Sequence, residues 1–260
     1  MPHPRGIHEG ITVKLRARVL LFAPLAALLM DGSCPSPEPF PPATLTAPII
    51  TQVGVDAFSF QSTPGFRPAI HVRWQMPANG SLGVREFVIF QKTMGDSSFT
   101  LLARSIPGNV FDYHENADNV GFPGLLSYKT IFFQMFAIDS VGRTSDTSAI
   151  DSLVLAWQPI PVSPVESDTI SNDSLVWYVT SVMAGYYTYS MLYGDTAGLL
   201  WSAPQPIVPV YSYQGDTVQS ANQIPASLFP LSPGGYTWAI KLEVPALNAQ
   251  SMAVRRLYAR

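Results

Sequence analysis

Apolar and polar residues alternate along most of the chain from residue 48 onward, and a period of two is typical of β-strands with one buried face. The segments with this alternation end at clusters of turn residues. They cover residues 69–76, 84–92, 99–103, 130–139, 149–155, 174–180, 186–195, 233–244 and 254–260. Short strands separated by turns about every eight to twelve residues indicate an antiparallel β-sandwich. The sequence therefore predicts an all-β protein, with no helix after residue 33.

Residues 48–155 resemble a fibronectin type III domain. That family has a tryptophan on its second strand, matched by Trp74, and a Y-x-V-x-A-x-D/N-x-x-G-x-x-S run on its sixth strand. The residues that match this run are Phe133, Met135, Ala137, Asp139, Gly142 and Ser145. Phe133 stands where the family has a tyrosine whose hydroxyl pins the corner of the fold, which removes a hydrogen bond worth about 1 kcal/mol. The resemblance implies two packed antiparallel sheets.

Residues 168–260 repeat this plan more loosely. Trp177 is placed as the second-strand tryptophan, and an L-x-P-G-x-Y-x-W pattern resembles bacterial fibronectin-like or immunoglobulin-like modules with one extra glycine. The pattern consists of Leu231, Pro233, Gly234, Tyr236 and Trp238. Residues 156–167 are rich in proline and are predicted to be a linker. The expected architecture is two tandem fibronectin type III/immunoglobulin-like sandwiches, at 48–155 and 168–260.

The N-terminal segment has the features of a secretory signal. Twelve uncharged residues, Val19–Met30, follow a basic cluster and precede the small residues Gly32 and Ser33. A helix of this length rises about 18 Å, too short for a hydrocarbon core about 30 Å thick. We therefore predict that residues 1–33 form a signal helix that is removed on export. Because Met1–Val13 is long and polar for a signal, translation is expected to start further downstream, near Val13.

Cys34 is the single cysteine of the chain and directly follows this segment. Its position resembles that in bacterial lipoprotein signals, in which the thiol becomes a thioether to diacylglycerol and cleavage occurs just before it. Asp31 departs from that pattern, which has leucine there. The resemblance implies membrane lipid as a partner through Cys34, and a location in the bacterial envelope, at the outer membrane or in the periplasm. A secreted protein, a retained N-terminal anchor and an incidental cysteine are the alternatives.

Residues 34–47 carry five prolines within eight positions, a composition that excludes a helix and favours polyproline II. Such a segment is a stiff tether that holds a domain some tens of Å from its anchor, at about 3.1 Å per residue. A proline-rich ligand for an aromatic groove is the competing interpretation.

Charge and cysteine content exclude several classes of function. The formal net charge is −3, and removal of residues 1–33 takes away four basic and two acidic residues, which makes the balance more negative. Nothing in such a chain recruits a phosphate backbone, so no nucleic-acid partner is expected. A single cysteine permits no intramolecular disulfide. The sequence suggests no cofactor.

One acidic segment, residues 111–119 (FDYHENADN), holds candidate ligands for Ca²⁺ at Asp112, Glu115 and Asp118. Carboxylates are suitable calcium ligands, but their spacing lacks the D-x-[DN]-x-[DN]-G signature. An ordinary solvated loop is the favoured interpretation, with no metal. His114 lies among these acids, whereas His71 is predicted to lie on a solvated strand face.

Aromatic residues are concentrated in the second predicted domain. Tyr187, Tyr189 and Tyr193 share one face of a predicted strand, and Trp201 follows shortly after. Exposed aromatic rings bind sugars or protein partners. Aromatic residues also favour strands and stabilise sheets by packing, and this structural role is the favoured interpretation.

The sequence predicts no catalytic residues. Motifs such as G-x-S-x-G and H-E-x-x-H are absent from it. We therefore expect a non-catalytic, lipid-anchored envelope protein that presents β-sandwich domains for binding an unknown protein or polysaccharide. The alternative is an accessory carbohydrate-binding protein or a cryptic glycoside hydrolase, because two catalytic carboxylates can come from distant parts of a sequence.

Overall fold

The computed structural model describes residues 45–61, 63–78, 83–124, 127–170, 174–180, 186–206 and 217–260. The predicted signal, Cys34 and residues 34–44 of the predicted tether lie outside these ranges. The elements within them are β1 (Ile49–Phe58), β2 (Arg67–Gln75), β3 (Val84–Thr93), β4 (Thr100–Pro107), β5 (Asp112–Asn116), α1 (Ala117–Val120), β6 (Lys129–Asp139), β7 (Asp151–Leu155), β8 (Ile160–Ser163), β9 (Ser174–Thr180), β10 (Tyr187–Gly194), β11 (Gly198–Pro206), β12 (Thr217–Gln223), β13 (Gly234–Val244) and β14 (Ala249–Ala259).

The first half of the chain forms a β-sandwich. One sheet has the strand order β1-β2-β5, and the strands opposite it run β7-β6-β3-β4. The alternation in β6 places every second residue inward, and these residues are fully buried: Ile131, Phe133, Met135 and Ala137. Trp74 projects from β2 into the same interior and meets the ring of Phe87 edge to face, with ring centroids 5.3 Å apart. The predicted second-strand tryptophan is thus confirmed as a core residue.

The second half repeats this plan, with β12-β9-β8 facing β11-β10-β13-β14. Trp177 on β9 is the counterpart of Trp74, and its ring meets that of Trp238 edge to face, with ring centroids 6.3 Å apart. The Tyr236 hydroxyl donates a 2.7 Å hydrogen bond to the carbonyl of Ser232, four residues earlier. This is the tyrosine corner of immunoglobulin-like sandwiches. Tyr236 pairs with the last residue of β10, and the residue that pairs with the last residue of β3 is Ile131, so the register places Ile131 and not Phe133 at the corner of the first sandwich. The fold is all-β, with two sandwiches of the fibronectin type III or immunoglobulin kind.

The two sandwiches share a sheet. β14 pairs in parallel with β7 through Ala249 with Val154 and Gln250 with Leu155, which joins eight strands in one sheet. Ala239 and Met252, from the second half, belong to the hydrophobic cluster of the first. The sandwiches are therefore packed directly against each other. The end of the first domain at residue 155 and the start of the second at residue 168 remain predictions from the sequence.

Three local predictions differ from the structure. Residues 160–163, predicted as linker, form β8, where prolines are tolerated because β8 is an edge strand. Residues 112–116, predicted as a solvated loop, form β5 and pair with β2. One helical turn, α1, follows β5, and the side chain of Asn116 caps it by accepting a hydrogen bond from the amide of Asp118. In the described ranges, no helix is long and apolar enough to cross a membrane.

Candidate functional site

A cluster of one carboxylate and two imidazoles lies on the β1-β2-β5 sheet. His71 Nδ1 is 3.0 Å from Asp56 Oδ2, and His114 Nε2 is 3.6 Å from the same oxygen. β2 and β5 place the two histidines directly opposite each other. The ring of Phe58 stacks on that of His114 at 3.8 Å. The sequence prediction for His71 was wrong, because its side chain is buried.

The charge of Asp56 is held by these histidines. Burial alone would raise the pKa of Asp56, but hydrogen bonds and charge from His114 and His71 outweigh it and hold that pKa well below its usual range. Burial, reinforced by the charge of Asp56, raises the pKa of Tyr193 to about 12. The cluster is thus an anionic group clamped by two imidazoles close to the second sandwich.

The geometry of His71 fits a role in stabilising the fold better than a role in catalysis. Nucleophilic catalysis requires the free imidazole nitrogen to face a hydroxyl or thiol. His71 Nε2 is buried and has no hydrogen-bond partner. Its ring packs on the backbone of Gly54, where an added Cβ would come within 2.9 Å of Nε2. The glycine makes room for the imidazole, so the site holds a packed histidine with no space for a substrate at that nitrogen.

The calcium candidates occupy separate positions. Asp112 is exposed at the start of β5, and the carboxylate of Glu115 accepts hydrogen bonds from the Tyr113 hydroxyl at 2.5 Å and from Asn119 at 2.7 Å. Asp118 lies in α1, where its backbone amide donates to Asn116. Across the part of the chain that the structure describes, no three His, Cys, Asp or Glu side chains are placed to hold a metal ion.

The four candidate binding aromatics do not form one surface. Tyr187, Tyr189 and Tyr193 share a face of β10, as the alternation predicted. Trp201 lies opposite Leu192 and packs against the second core. Tyr193 is covered by Phe66 of the first sandwich, with ring centroids 4.5 Å apart. Tyr187, at the start of β10, remains 45% exposed, so exposure among these tyrosines is greatest at that end of the strand.

A cleft lies where the first sandwich meets the second. Two adjoining cavities, of about 520 and 380 Å³, share Arg67 and Val254 in their walls. We call them together the junction cleft. Residues Asp118, Trp157 and Gln158 line the larger cavity, whereas Phe66, Glu166, Arg256 and Tyr258 line the smaller one. Each volume falls within the range of about 300–1,000 Å³ that is typical of small-molecule sites, which occur preferentially between domains.

The walls of the junction cleft are held in place by the fold. The amide of Phe66 donates to Thr237 Oγ1 at 3.1 Å, which fixes the chain just before Arg67. Arg255 donates to the carbonyls of Pro161, Val162 and Pro164 at 2.6–3.0 Å and so ties the edge strand β8 to β14. Ser251 Oγ donates to the carbonyl of Trp157 at 2.6 Å. The cleft is therefore preformed.

Several donors in these walls lack partners. The side chain of Arg67 forms no hydrogen bond or ion pair with any residue in the described ranges. Trp157, which is 1% exposed, has an Nε1 without an acceptor. The two terminal nitrogens of Arg256 pair with Asp195, whereas its Nε is buried and unpaired. A buried donor without an acceptor costs about 1–3 kcal/mol. Trp157 Nε1 and Arg256 Nε have almost no accessible surface, so of these donors only the Arg67 guanidinium is available to a ligand in the cleft.

Sequence reasoning did not find this cleft. Arg67 opens β2 between Phe66 and Pro68, and nothing local distinguishes it from a solvated cation. Trp157 gave one weak signal. A tryptophan within a proline-rich segment is expected to be packed, since so large an apolar ring is seldom left in water. Which residues meet at the junction depends on how the sandwiches pack.

Comparisons with known proteins give no family. No family model matches the chain, and no curated protein matches it. Among solved structures, the chain is similar to the crystal structure of the chicken CNTN1 FN1–FN3 domains, with 12% sequence identity and a TM-score of 0.28. That similarity covers 83% of this chain and 67% of the other.

Proposed function

We propose that this protein is a non-catalytic binding module of the bacterial envelope, exported by residues 1–33 and anchored by lipid on Cys34. The junction cleft carries the binding part of the proposal. It is preformed, it lies between two sandwiches, and it contains an unpaired guanidinium at Arg67. The ligand is a polysaccharide or protein of the envelope.

The absence of turnover is supported by the geometry of the ionisable groups in the described ranges. The most tightly organised of them, Asp56 with its two histidines, is satisfied internally and packs on Gly54. Neither His71 nor His114 lines the junction cleft. Asp118 and Glu166 line different cavities of the cleft, and the carboxylate of Glu166 accepts a hydrogen bond from the backbone of Arg256. A tether and an anchor suit a protein that holds a ligand at a distance from a membrane.

The anchoring step is tested by labelling cells with an alkyne fatty acid. The wild-type chain is expected to take up the label and to fractionate with membranes, and Cys34→Ser is expected to do neither. A labelled Cys34→Ser chain, or an unlabelled wild type, would contradict anchoring at this residue.

The binding step is tested by cosedimentation of the full chain with isolated cell envelopes. Arg67→Glu places a negative charge in the cleft and is expected to reduce the bound fraction at least tenfold, since a lost charged hydrogen bond is worth about 1.5–3 kcal/mol. Arg104→Glu, which changes an exposed arginine of β4, is the matched control. Equal binding by both variants would show that the cleft is not the binding site.

A further inference from the structure

One face of the eight-stranded sheet is covered by the second sandwich over part of its width. Over β11-β10-β13-β14 this face holds the second core, to which Ala249 of β14 belongs and against which Val154 of β7 packs. The pairing of Val154 with Thr130, and of Ser152 with Phe132, carries the same face onward to β6. The strands β12-β9-β8 belong to the second sandwich, so the part of the face over β6, β3 and β4 lies beyond this cover.

That part of the face is apolar, although it points away from the first core. In β6 every second residue projects to it, and the register places residues of β3 and β4 beside them. We call this surface the phenylalanine face. It consists of Val88, Phe90, Leu101, Phe132, Gln134, Phe136 and Ile138. None of its apolar members belongs to either core cluster, and Leu101 is 50% exposed. An outward row of apolar side chains on a sheet marks an interaction surface.

We infer that two copies of this chain associate through the phenylalanine face. Sheets bury their apolar faces by packing on another sheet about 10 Å away. The strands β12-β9-β8 cover the adjoining part of the same face in this way, so the open part is continuous with an existing interface between sheets. A second copy offers an identical open surface, and a two-fold axis uses the same patch on both partners.

Charged side chains lie toward the two ends of β3 and not at the centre of the phenylalanine face. Lys92 is near the end of the strand, and Glu86, near its start, pairs with Arg85 at 2.6 Å. The charge of Arg104 also acts on the Glu86 carboxylate. Protein interfaces are depleted of charge at their centre and polar at their rim. Two copies can therefore meet over the apolar centre while these charges stay at the rim.

The size of the phenylalanine face suits a small, reversible interface. Four neighbouring strands, β7-β6-β3-β4, are about 19 Å wide, and the length of β4 is about 27 Å. The flat footprint is therefore about 500 Å² per copy, to which the relief of the side chains adds. Two copies would bury about 1,000 Å² or more in total, which reaches the lower limit for a specific interface. The rings of Phe90 and Phe136, with centroids 5.7 Å apart, lie within this footprint.

A saccharide fits the phenylalanine face less well than a second sheet. Sugar recognition combines apolar contact with well-placed hydrogen-bonding groups. The face and its border offer Gln134 and Lys92, and the Lys92 ammonium lies over the rings of Phe99 and Phe132, 5.5 and 6.0 Å from their centroids. Phenylalanine, unlike tyrosine or tryptophan, has no polar group of its own. The composition therefore favours an apolar protein surface as the occupant.

Sedimentation velocity of the full chain tests the inference. The wild type is expected to pass from monomer to dimer as its concentration rises from about 1 to about 100 μM, the range that suits a small interface. Leu101→Glu would bury an unpaired carboxylate in the dimer and is expected to weaken association at least tenfold. Leu199→Glu is the matched control, since Leu199 is 54% exposed, holds the same second position in the edge strand β11 and lies outside the face. It should associate like the wild type.

A second variant lies within the phenylalanine face. Phe136→Thr removes a ring but keeps a β-branched residue suited to a strand, so it is expected to weaken association at least tenfold while the circular dichroism of the β-fold is kept. Should Phe136→Thr unfold, Leu101→Glu decides alone. Undiminished association of Leu101→Glu, equal weakening by Leu199→Glu, or a wild type that stays monomeric at about 100 μM would each overturn the inference.

A different protein partner on the same face gives a distinct result. In that case the wild type stays monomeric, and Leu101→Glu lowers the fraction that cosediments with isolated cell envelopes whereas Leu199→Glu does not. This outcome would overturn association of two copies and assign the phenylalanine face to an envelope component.

Discussion

The backbone amide of Val55 donates a 3.0 Å hydrogen bond to the side-chain oxygen of Gln250, 195 residues further along the chain. Val55 is fully buried, and Gln250 belongs to the pair of residues through which β14 joins β7. One glutamine thus links the first sandwich to the point where the shared sheet crosses between the two halves. The stability of the junction is therefore expected to depend on the side chain of Gln250.

Replacement of Gln250 by alanine is expected to destabilise the protein by about 1–3 kcal/mol, because the Val55 amide would be left without an acceptor in a buried position. Urea unfolding followed by tryptophan fluorescence measures this loss. Gln52→Ala provides the control, since Gln52 accepts an exposed hydrogen bond from Arg73 and its loss should cost less than about 0.5 kcal/mol. Equal effects of the two substitutions would contradict a structural role for the Gln250 contact.

Asp56 is expected to make stability depend on acidic pH. Its pKa in the folded protein is held below the unfolded value of about 3.9, so it contributes stability that is fully present above that value. The contribution is lost as pH falls below about 4, because the unfolded chain then binds a proton that the folded chain does not. Asp56→Asn should lower stability at pH 7 and flatten the stability curve below pH 4.

The free energy of unfolding is measured by urea denaturation at a series of pH values from about 2 to about 7. Asp112→Asn is the control, since Asp112 is exposed and forms no ion pair within the described ranges. A curve for Asp56→Asn that runs parallel to that of the wild type would show that the histidine clamp does not hold the carboxylate charge.

The tyrosine corner of the second sandwich is expected to contribute about 1 kcal/mol. Tyr236→Phe removes the hydroxyl that donates to the Ser232 carbonyl and leaves the ring in place. Because the buried ring is kept, the substitution should preserve the fold and lower the unfolding midpoint. Tyr187→Phe, at an exposed position, should leave the midpoint unchanged. A wild-type midpoint for Tyr236→Phe would mean that water replaces this hydrogen bond without loss.

Gly108 is expected to be intolerant of any side chain. A Cβ there would lie 2.1 Å from the carbonyl oxygen of Val84, a backbone atom that cannot rotate away. The Gly108 amide also donates to the carbonyl of Arg85, so the two segments are held together. Gly108→Ala should cost about 1–3 kcal/mol through this overpacking.

Thermal unfolding of Gly108→Ala is best compared with that of Gly124→Ala, because a Cβ at Gly124 meets nothing within 4 Å. The second variant should stay within about 0.5 kcal/mol of the wild type. Similar midpoints for both variants would show that the segment just after β4 adjusts freely.

The period-two pattern predicted most of the strands that carry strong apolar faces. Residues 174–180 match β9 at both ends, and 130–139 matches β6 within one residue. Other strands were missed: no predicted segment covers β1, β11 or β12, while β5 reads as an acidic loop and β8 as a proline-rich linker. β5 forms because it pairs with β2, and β8 because it pairs with β9, which are contacts that local propensity does not contain.

His71 shows the same limit for the site. Between Ile70 and Val72 it has the polar position of an alternating strand, and the pattern therefore predicted a solvated face. The structure buries it against Gly54, next to Gln250 of the second sandwich. The partner that covers it lies far along the chain, so no local window of sequence reveals it.

The sequence by itself determined the all-β class and the two tryptophans on equivalent strands, because alternation and turn residues act over a few positions. Tertiary structure alone decided that the two sandwiches share a sheet, that Asp56 is clamped by two histidines, and that Arg67, Trp157 and Arg256 meet at one cleft. Those outcomes depend on the packing of one sandwich on the other, and that packing is set by contacts between residues far apart in the chain.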